Sequence, residues 1–289
     1  MPRVILVAVV GLLTLASVAE AQGRGRPKRP PLTTAADTNG AQQVQTGTVS
    51  SAAPLFHQFG AWLDDATGSA RGVGRVAIGT GYWRARDGTF VDLPIFDGSY
   101  ALTDHLQLAA TVPLYRSSYS GLSHSGLDDV YVSGKITMFD ASNTTSGGGL
   151  AVTPLLEILS AGYAGDRLHW ALPVSVEWRR APVRFYGSAG YFSRGAVFGG
   201  GAVDWATPAG TVLTVAVTQS FATLKERNSR AAQADMSVGL AQWLTDAVAA
   251  YVSIGRSLAS PAGQETTFAV TGGVAFTKLP SRSEHRLWQ

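Results

Sequence analysis

The 289-residue chain contains no cysteine, which excludes a disulfide scaffold, thiol catalysis and cysteine-based zinc sites. Only 15% of its residues are charged, against about a quarter in ordinary soluble domains. The formal net charge of +3 rests on Arg24, Arg26, Lys28 and Arg29, without which the balance is −1, so the basic surplus belongs to a tail and not to a folded nucleic-acid-binding face.

Residues 1–21 have the form of a signal peptide. Arg3 supplies the positive start, and Val4 to Val18 is apolar apart from Gly11, Thr14 and Ser17. Ala19-Glu20-Ala21 then fits the small-x-small cleavage pattern, so the mature chain is expected to begin at Gln22. The apolar run falls short of the roughly 20 residues a membrane-spanning helix needs. No cysteine follows the cleavage site, which excludes a lipid-anchored lipoprotein. Residues 22–70 are expected to form a disordered periplasmic leader: Gly23 to Pro31 is rich in Pro and Arg, and Thr33 to Ser51 is polar without an apolar period. Leu55 to Trp62 can form a short amphipathic turn that plugs or caps the periplasmic mouth of whatever follows.

From residue 71 to 276 the pattern changes to segments of about ten residues that alternate apolar and polar, the period-two mark of strands. Strands are expected near 73–84, 92–102, 105–115, 128–139, 150–159, 168–179, 183–193, 196–206, 211–221, 233–243, 247–256 and 266–276. The alternation is clearest in Leu106 to Leu114, Asp129 to Met138 and His169 to Arg179. About twelve antiparallel strands, an even count, suit an all-β, up-and-down transmembrane barrel. Short links at Thr103-Asp104, Arg180 to Pro182, Thr207 to Gly210 and Leu244 to Asp246 alternate with longer ones at Arg116 to Leu127, Ser160 to Arg167, Ala222 to Ala232 and Ser257 to Glu265, as periplasmic turns alternate with external loops. Asp140 to Gly149 is long for a periplasmic turn, and Arg194-Gly195 short for an external loop. Residues 277–289 form a C-terminal tail.

Three features favour lipid over a soluble sandwich. Strands of about ten residues match a tilted crossing of the hydrocarbon layer, whereas soluble strands average five or six. Arg75, Asp97, Asp129, Lys135, Glu157, His169, Glu177, Arg184, Asp204 and Asp235 all fall on the polar phase of their strands, so they are expected to line the lumen and are candidates for setting selectivity. Arg84 and Gln219 depart from that phase near external ends. Outward aromatics gather at strand ends, with Tyr82, Trp170, Tyr191, Phe221 and Phe268 toward one rim and Tyr100, Trp178, Phe185, Trp205 and Phe276 toward the other, as two headgroup girdles require.

The run Asp92-Leu-Pro-Ile-Phe-Asp-Gly-Ser-Tyr-Ala-Leu-Thr-Asp-His-Leu-Gln-Leu, followed by Val112-Pro113, Gly126-Leu127-Asp128-Asp129-Val130 and Gly134-Lys135, resembles the outer-membrane family named for the meta-cleavage pathway of phenol degradation. Asp128 stands where that family usually has Gly. The resemblance implies a transporter of hydrophobic or aromatic compounds, with the lipid bilayer, a small solute and the barrel assembly machinery as partners. Phe276 is similar to the aromatic end of strand that this machinery reads, although here a tail follows it.

Two other classes compete with a pore. An outer-membrane lipid hydrolase would need Ser and His within reach of each other; His124-Ser125, or His169 with Ser160, are the candidates, and neither sits in a recognisable catalytic motif. A non-conducting structural or adhesive barrel would rely on external loops, which are modest in length. No phosphate-cradling loop or metal-binding His cluster is present, so neither enzyme activity nor a cofactor is expected. Gly199-Gly200-Gly201 falls inside a strand, where it permits close packing or curvature.

Overall fold

The computed structural model describes residues 63–85, 88–119, 122–140, 146–159, 167–193, 195–222, 233–259 and 266–278. The signal peptide, most of the leader and all but two residues of the tail lie outside them. The described chain is almost entirely strand: β1 (Gly74–Ala85), β2 (Gly88–Ala101), β3 (Leu106–Tyr119), β4 (Leu122–Leu127), β5 (Val130–Phe139), β6 (Ser146–Val152), β7 (Leu155–Ile158), β8 (Leu168–Arg180), β9 (Val183–Phe192), β10 (Ala196–Ala206), β11 (Thr211–Ala222), β12 (Gln233–Trp243), β13 (Val248–Ala259) and β14 (Thr266–Lys278). These fourteen segments make twelve staves. β4 and β5 are one stave interrupted at Asp128-Asp129, and β6 and β7 are another interrupted at Thr153-Pro154.

Every pairing is antiparallel between neighbours, and β1 pairs with β14 from Gly74↔Lys278 to Ala85↔Thr266, so the sheet closes on itself. Closure removes both edges and satisfies the backbone within the sheet, which hydrocarbon demands. An even number of staves puts the start of β1 and the end of β14 at one mouth, the periplasmic one.

The two faces of the sheet divide as the alternation requires. On β8, Ala171, Pro173, Ser175, Glu177 and Arg179 are buried, while Trp170, Leu172, Val174, Val176 and Trp178 are exposed. On β11, Val212, Thr214, Ala216 and Thr218 turn inward, and Leu213, Val215, Val217 and Phe221 outward. The buried face is therefore the polar one and the exposed face the apolar one, the reverse of a soluble protein. Both girdles are present. Trp170 packs on Tyr191 at 5.8 Å near the external rim, and Trp178 on Phe185 at 5.6 Å near the periplasmic rim.

Strand positions agree with the sequence to within a few residues, with two departures. The stretch from Arg116 to Leu127, expected as a loop, is largely a hairpin: β3 continues to Tyr119 and pairs with β4 from Leu114↔Leu127 to Tyr119↔Leu122. The link after Asp140 is shorter than expected, because Ser146 to Gly149 already belong to β6 and pair with Glu177 to Arg180 of β8. The short turn at Gly195, by contrast, is present, with Gly195 at φ 86°.

The largest difference concerns the leader. Its last residues, 63–70, are not a free extension: Leu63 to Ser69 are all buried inside the barrel. This insert lies against the inner face of β5 to β10 and leads into β1 through residues 70–73.

Candidate functional site

The lumen is built from the insert and the inward residues of the wall. Asp64 and Asp65, adjacent in the chain, meet the two cations that β5 and β9 turn inward. Lys135 Nζ lies 2.8 Å from Asp64 Oδ1 and 3.0 Å from Asp65 Oδ1. Arg184 Nη1 lies 2.7 Å from Asp65 Oδ2, and the same guanidinium pairs with Asp204 of β10. Thr153 Oγ1 donates to Asp64 Oδ2 at 2.9 Å, and the Asp64 amide donates to Ser188 Oγ at 3.2 Å. Thr67 Oγ1 donates to Glu177 Oε2, which belongs to a carboxylate that Arg179 holds at 2.8 Å. Near the mouth, the Gly68 amide donates to Asp140 Oδ2 at 3.0 Å and the Arg71 amide to Asp104 Oδ1 at 2.9 Å.

Packing completes the seat. Leu63 joins Tyr186, Ala202 and Ala216, and Arg184 stacks 4.6 Å from the centre of the Tyr186 ring. Gly149 faces the insert, and a Cβ there would approach within 3.1 Å of the Ala66 Cβ. The absence of a side chain at Gly149 thus makes room for the insert.

Burial pushes the Asp64 carboxyl up to about 6; Lys135 pulls against this and the neighbouring Asp65 charge adds to it. Burial also pushes Asp65 upward, but Lys135 and Arg184 outweigh it and hold that carboxyl below its ordinary value. Two neighbouring acids thus differ because only Asp65 has two cations.

Of the ten residues expected to line the lumen, nine are buried on the inner face: Arg75, Asp97, Asp129, Lys135, Glu157, Glu177, Arg184, Asp204 and Asp235. His169 is half-buried, opposite Glu157 in the ladder and 6.3 Å from the Phe192 ring. They do not form one ring. Lys135, Glu177, Arg184 and Asp204 belong to the seat of the insert. Asp97 accepts from Thr111 at 2.6 Å, Glu157 from Tyr131 at 3.0 Å and Asp235 from Ser257 at 2.7 Å. On the inner wall toward the external end, Tyr131, Leu155, Ala171, Phe192 and Phe198 pack into an apolar cluster.

Sequence reasoning did not place Asp64, Asp65 and Thr67 in the site. A pair of acids in a non-periodic stretch next to the first strand is the only signal, and nothing in the chain alone says which cations it will meet. Ser125 stands on β4, exposed and paired with Arg116. The His124 side chain and Ser160 lie outside the described residues. Among the described residues no group of three or more His, Asp or Glu side chains is placed to hold a metal ion.

No family model and no curated protein sequence matches the chain. Among solved structures, the fold is similar to a COG4313 outer membrane channel from Pseudomonas putida F1, with TM-score 0.57 and 13% identity over 72% of this chain and 96% of that one. It is also similar to the NanC porin, with TM-score 0.51 and 11% identity over 71% of this chain and 100% of that one. The likeness is one of architecture. A closed twelve-stave barrel of that architecture, with an apolar outer belt between two aromatic girdles, is a bacterial outer-membrane barrel.

Proposed function

We propose that the protein is a channel for small solutes, hydrophobic or aromatic ones in particular, and that the insert of residues 63–69 narrows its passage. The observation that carries this reading is an enclosed interior whose charged groups are matched to a chain segment that is not part of the wall. A barrel filled only for stability can use wall side chains alone, as small barrels do. Here four wall residues, Lys135, Glu177, Arg179 and Arg184, bind a segment that leads into β1. The apolar wall at Tyr131, Leu155, Phe192 and Phe198 supports a preference for apolar solutes. So does the resemblance of residues 92–135 to a family of aromatic-compound transporters, while the channel description of the Pseudomonas structure supports a channel without naming a solute.

Single-channel recording in planar bilayers tests it. Stepwise openings are expected, with a conductance that rises when residues 63–69 are deleted, and brief interruptions when a monoaromatic alcohol is added but not when a sugar is. A barrel that stays electrically silent with and without the insert would overturn the reading.

A further inference from the structure

The inner face of the wall carries ionic side chains of both signs, whereas the outer face carries one sign only. Among the described strand residues, all the carboxylates (Asp92, Asp97, Glu157, Glu177, Asp204 and Asp235) are buried inside. Arg84, Arg116, Arg180, Arg256 and Lys278, which are exposed on the outer phase, are all cationic. Chance placement at strand ends would mix the signs. A cation on the lipid face costs roughly 2–4 kcal/mol at the bilayer midplane and little at the interface, so these side chains belong to the headgroup layers.

The external group is the more organised. Arg84 of β1 pairs with Phe268 of β14. On the other side of β14, Gly255 of β13 pairs with Ala269, which brings Arg256 beside the same Phe268. Phe268 is exposed and stands in the external aromatic girdle, so by register the two arginines lie on either side of its stave, on the same outward phase. With strands about 4.8 Å apart, their Cα atoms are separated by about 10 Å. Arg116 faces the same way two staves beyond β1 and donates to Ser123 Oγ at 3.3 Å.

We propose that Arg84 and Arg256, with Phe268 between them, form an outward-facing site for the phosphorylated sugar headgroup of the outer-leaflet glycolipid, lipid A. Guanidinium binds phosphate through paired, charge-assisted hydrogen bonds. The ring lies along the first methylenes of the acyl chains, where an aromatic side chain at the interface is most stable. The external rim selects the glycolipid over glycerophospholipids, because it faces the leaflet that the glycolipid occupies, and two separated cations match a disaccharide carrying two phosphates better than a single phosphodiester. This site faces away from the lumen and does not depend on the channel reading.

The test is titration of the delipidated full mature chain, in a zwitterionic detergent, with bisphosphoryl lipid A, monophosphoryl lipid A and phosphatidylglycerol, read by native mass spectrometry. Bisphosphoryl lipid A is expected to bind about tenfold more tightly than either competitor. R84Q/R256Q is expected to lose that advantage, R84K/R256K to keep part of it, and R180Q/K278Q, altered only at the periplasmic rim, to keep all of it. The heat-dependent gel shift of a folded barrel confirms that each variant is intact, and the Lys double variant carries the test if the Gln one does not fold. Equal binding of phosphatidylglycerol, unchanged binding by R84Q/R256Q, or displacement of lipid A by millimolar inorganic phosphate would each overturn the proposal.

Discussion

The lumen has two unlike sectors. From β5 to β10 the inner wall presents Lys135, Thr153, Glu177, Arg179, Arg184, Ser188 and Asp204, and the insert is fastened there by ion pairs and hydrogen bonds across four separate strands or junctions. From β12 round to β1 the wall presents small residues such as Ser237, Ser253, Thr271 and Gly79 around the buried ring of Tyr251, with Asp235 and Arg75 on the flanking strands. A segment of seven residues cannot bury enough apolar surface to hold itself, so it is placed by matched charges taken out of water.

The most severe way to break that asymmetry is Lys135→Ala. It leaves Asp64 and Asp65 buried beside each other without their shared cation, and breaking a buried pair costs about 3–5 kcal/mol. The insert is expected to leave its seat, which single-channel recording would register as a higher conductance and urea titration as a lower unfolding midpoint. Unchanged conductance would show that the insert is not the obstruction.

Next comes D64N/D65N, which removes the acids and leaves the wall cations Lys135 and Arg184 less compensated. The reversal potential in a KCl gradient is expected to move toward chloride, and no movement would mean that ions do not pass this sector.

Acid is expected to act more gently and in a definite direction. Because Asp64 is raised to about 6 in its seat, the seated insert binds a proton that a released one, near the ordinary 3.8, does not. Seating is therefore strengthened by up to about tenfold per pH unit as pH falls from 6 toward 4, and this contribution is lost as pH rises through about 6. Asp65 is shifted the other way and loses its contribution only below its ordinary value, outside that window. The fraction of time spent in the large-conductance state should decrease from pH 7 to pH 5 in the wild type and be flat in Asp64→Asn.

The smallest effect belongs to the serines of the opposite wall. Ser237→Ala and Ser253→Ala remove buried hydroxyls that have no hydrogen-bond partner among the described residues, so the unfolding free energy from urea titration is expected to shift by less than about 1 kcal/mol, with conductance unchanged. A large change there would mean that the insert leans on both sectors.

The staves were legible because the membrane imposes its own pattern. Every second residue between the girdles must suit lipid, so the phases of β8 and β11 can be read without knowing the fold. Where that constraint lapses, so does the reading: the outer ends of β3 and β4, rich in Ser, Tyr and Gly, pair as a hairpin without any apolar alternation to announce it. The interruption at Asp128-Asp129 was equally hidden, since both acids turn inward from a short break between β4 and β5. The lumen residues could be assigned to a face but not to partners. Lys135 is inward by phase alone; that it meets Asp64 and Asp65, some seventy positions earlier, is a property of the closed barrel. The insert was the least legible part, because Leu63 to Ser69 has no period and owes its position to charges, hydroxyls and apolar side chains far away in the chain.

The connection between the insert and β1, residues 70–73, is short, and four residues reach only about 14 Å when fully extended. A segment that leaves its seat therefore stays beside the mouth it came from. Its return is a first-order event at high effective concentration, so the closed fraction does not change with protein dilution. Proton activity, ionic strength and the solute itself are left as the variables that set how often the way is clear.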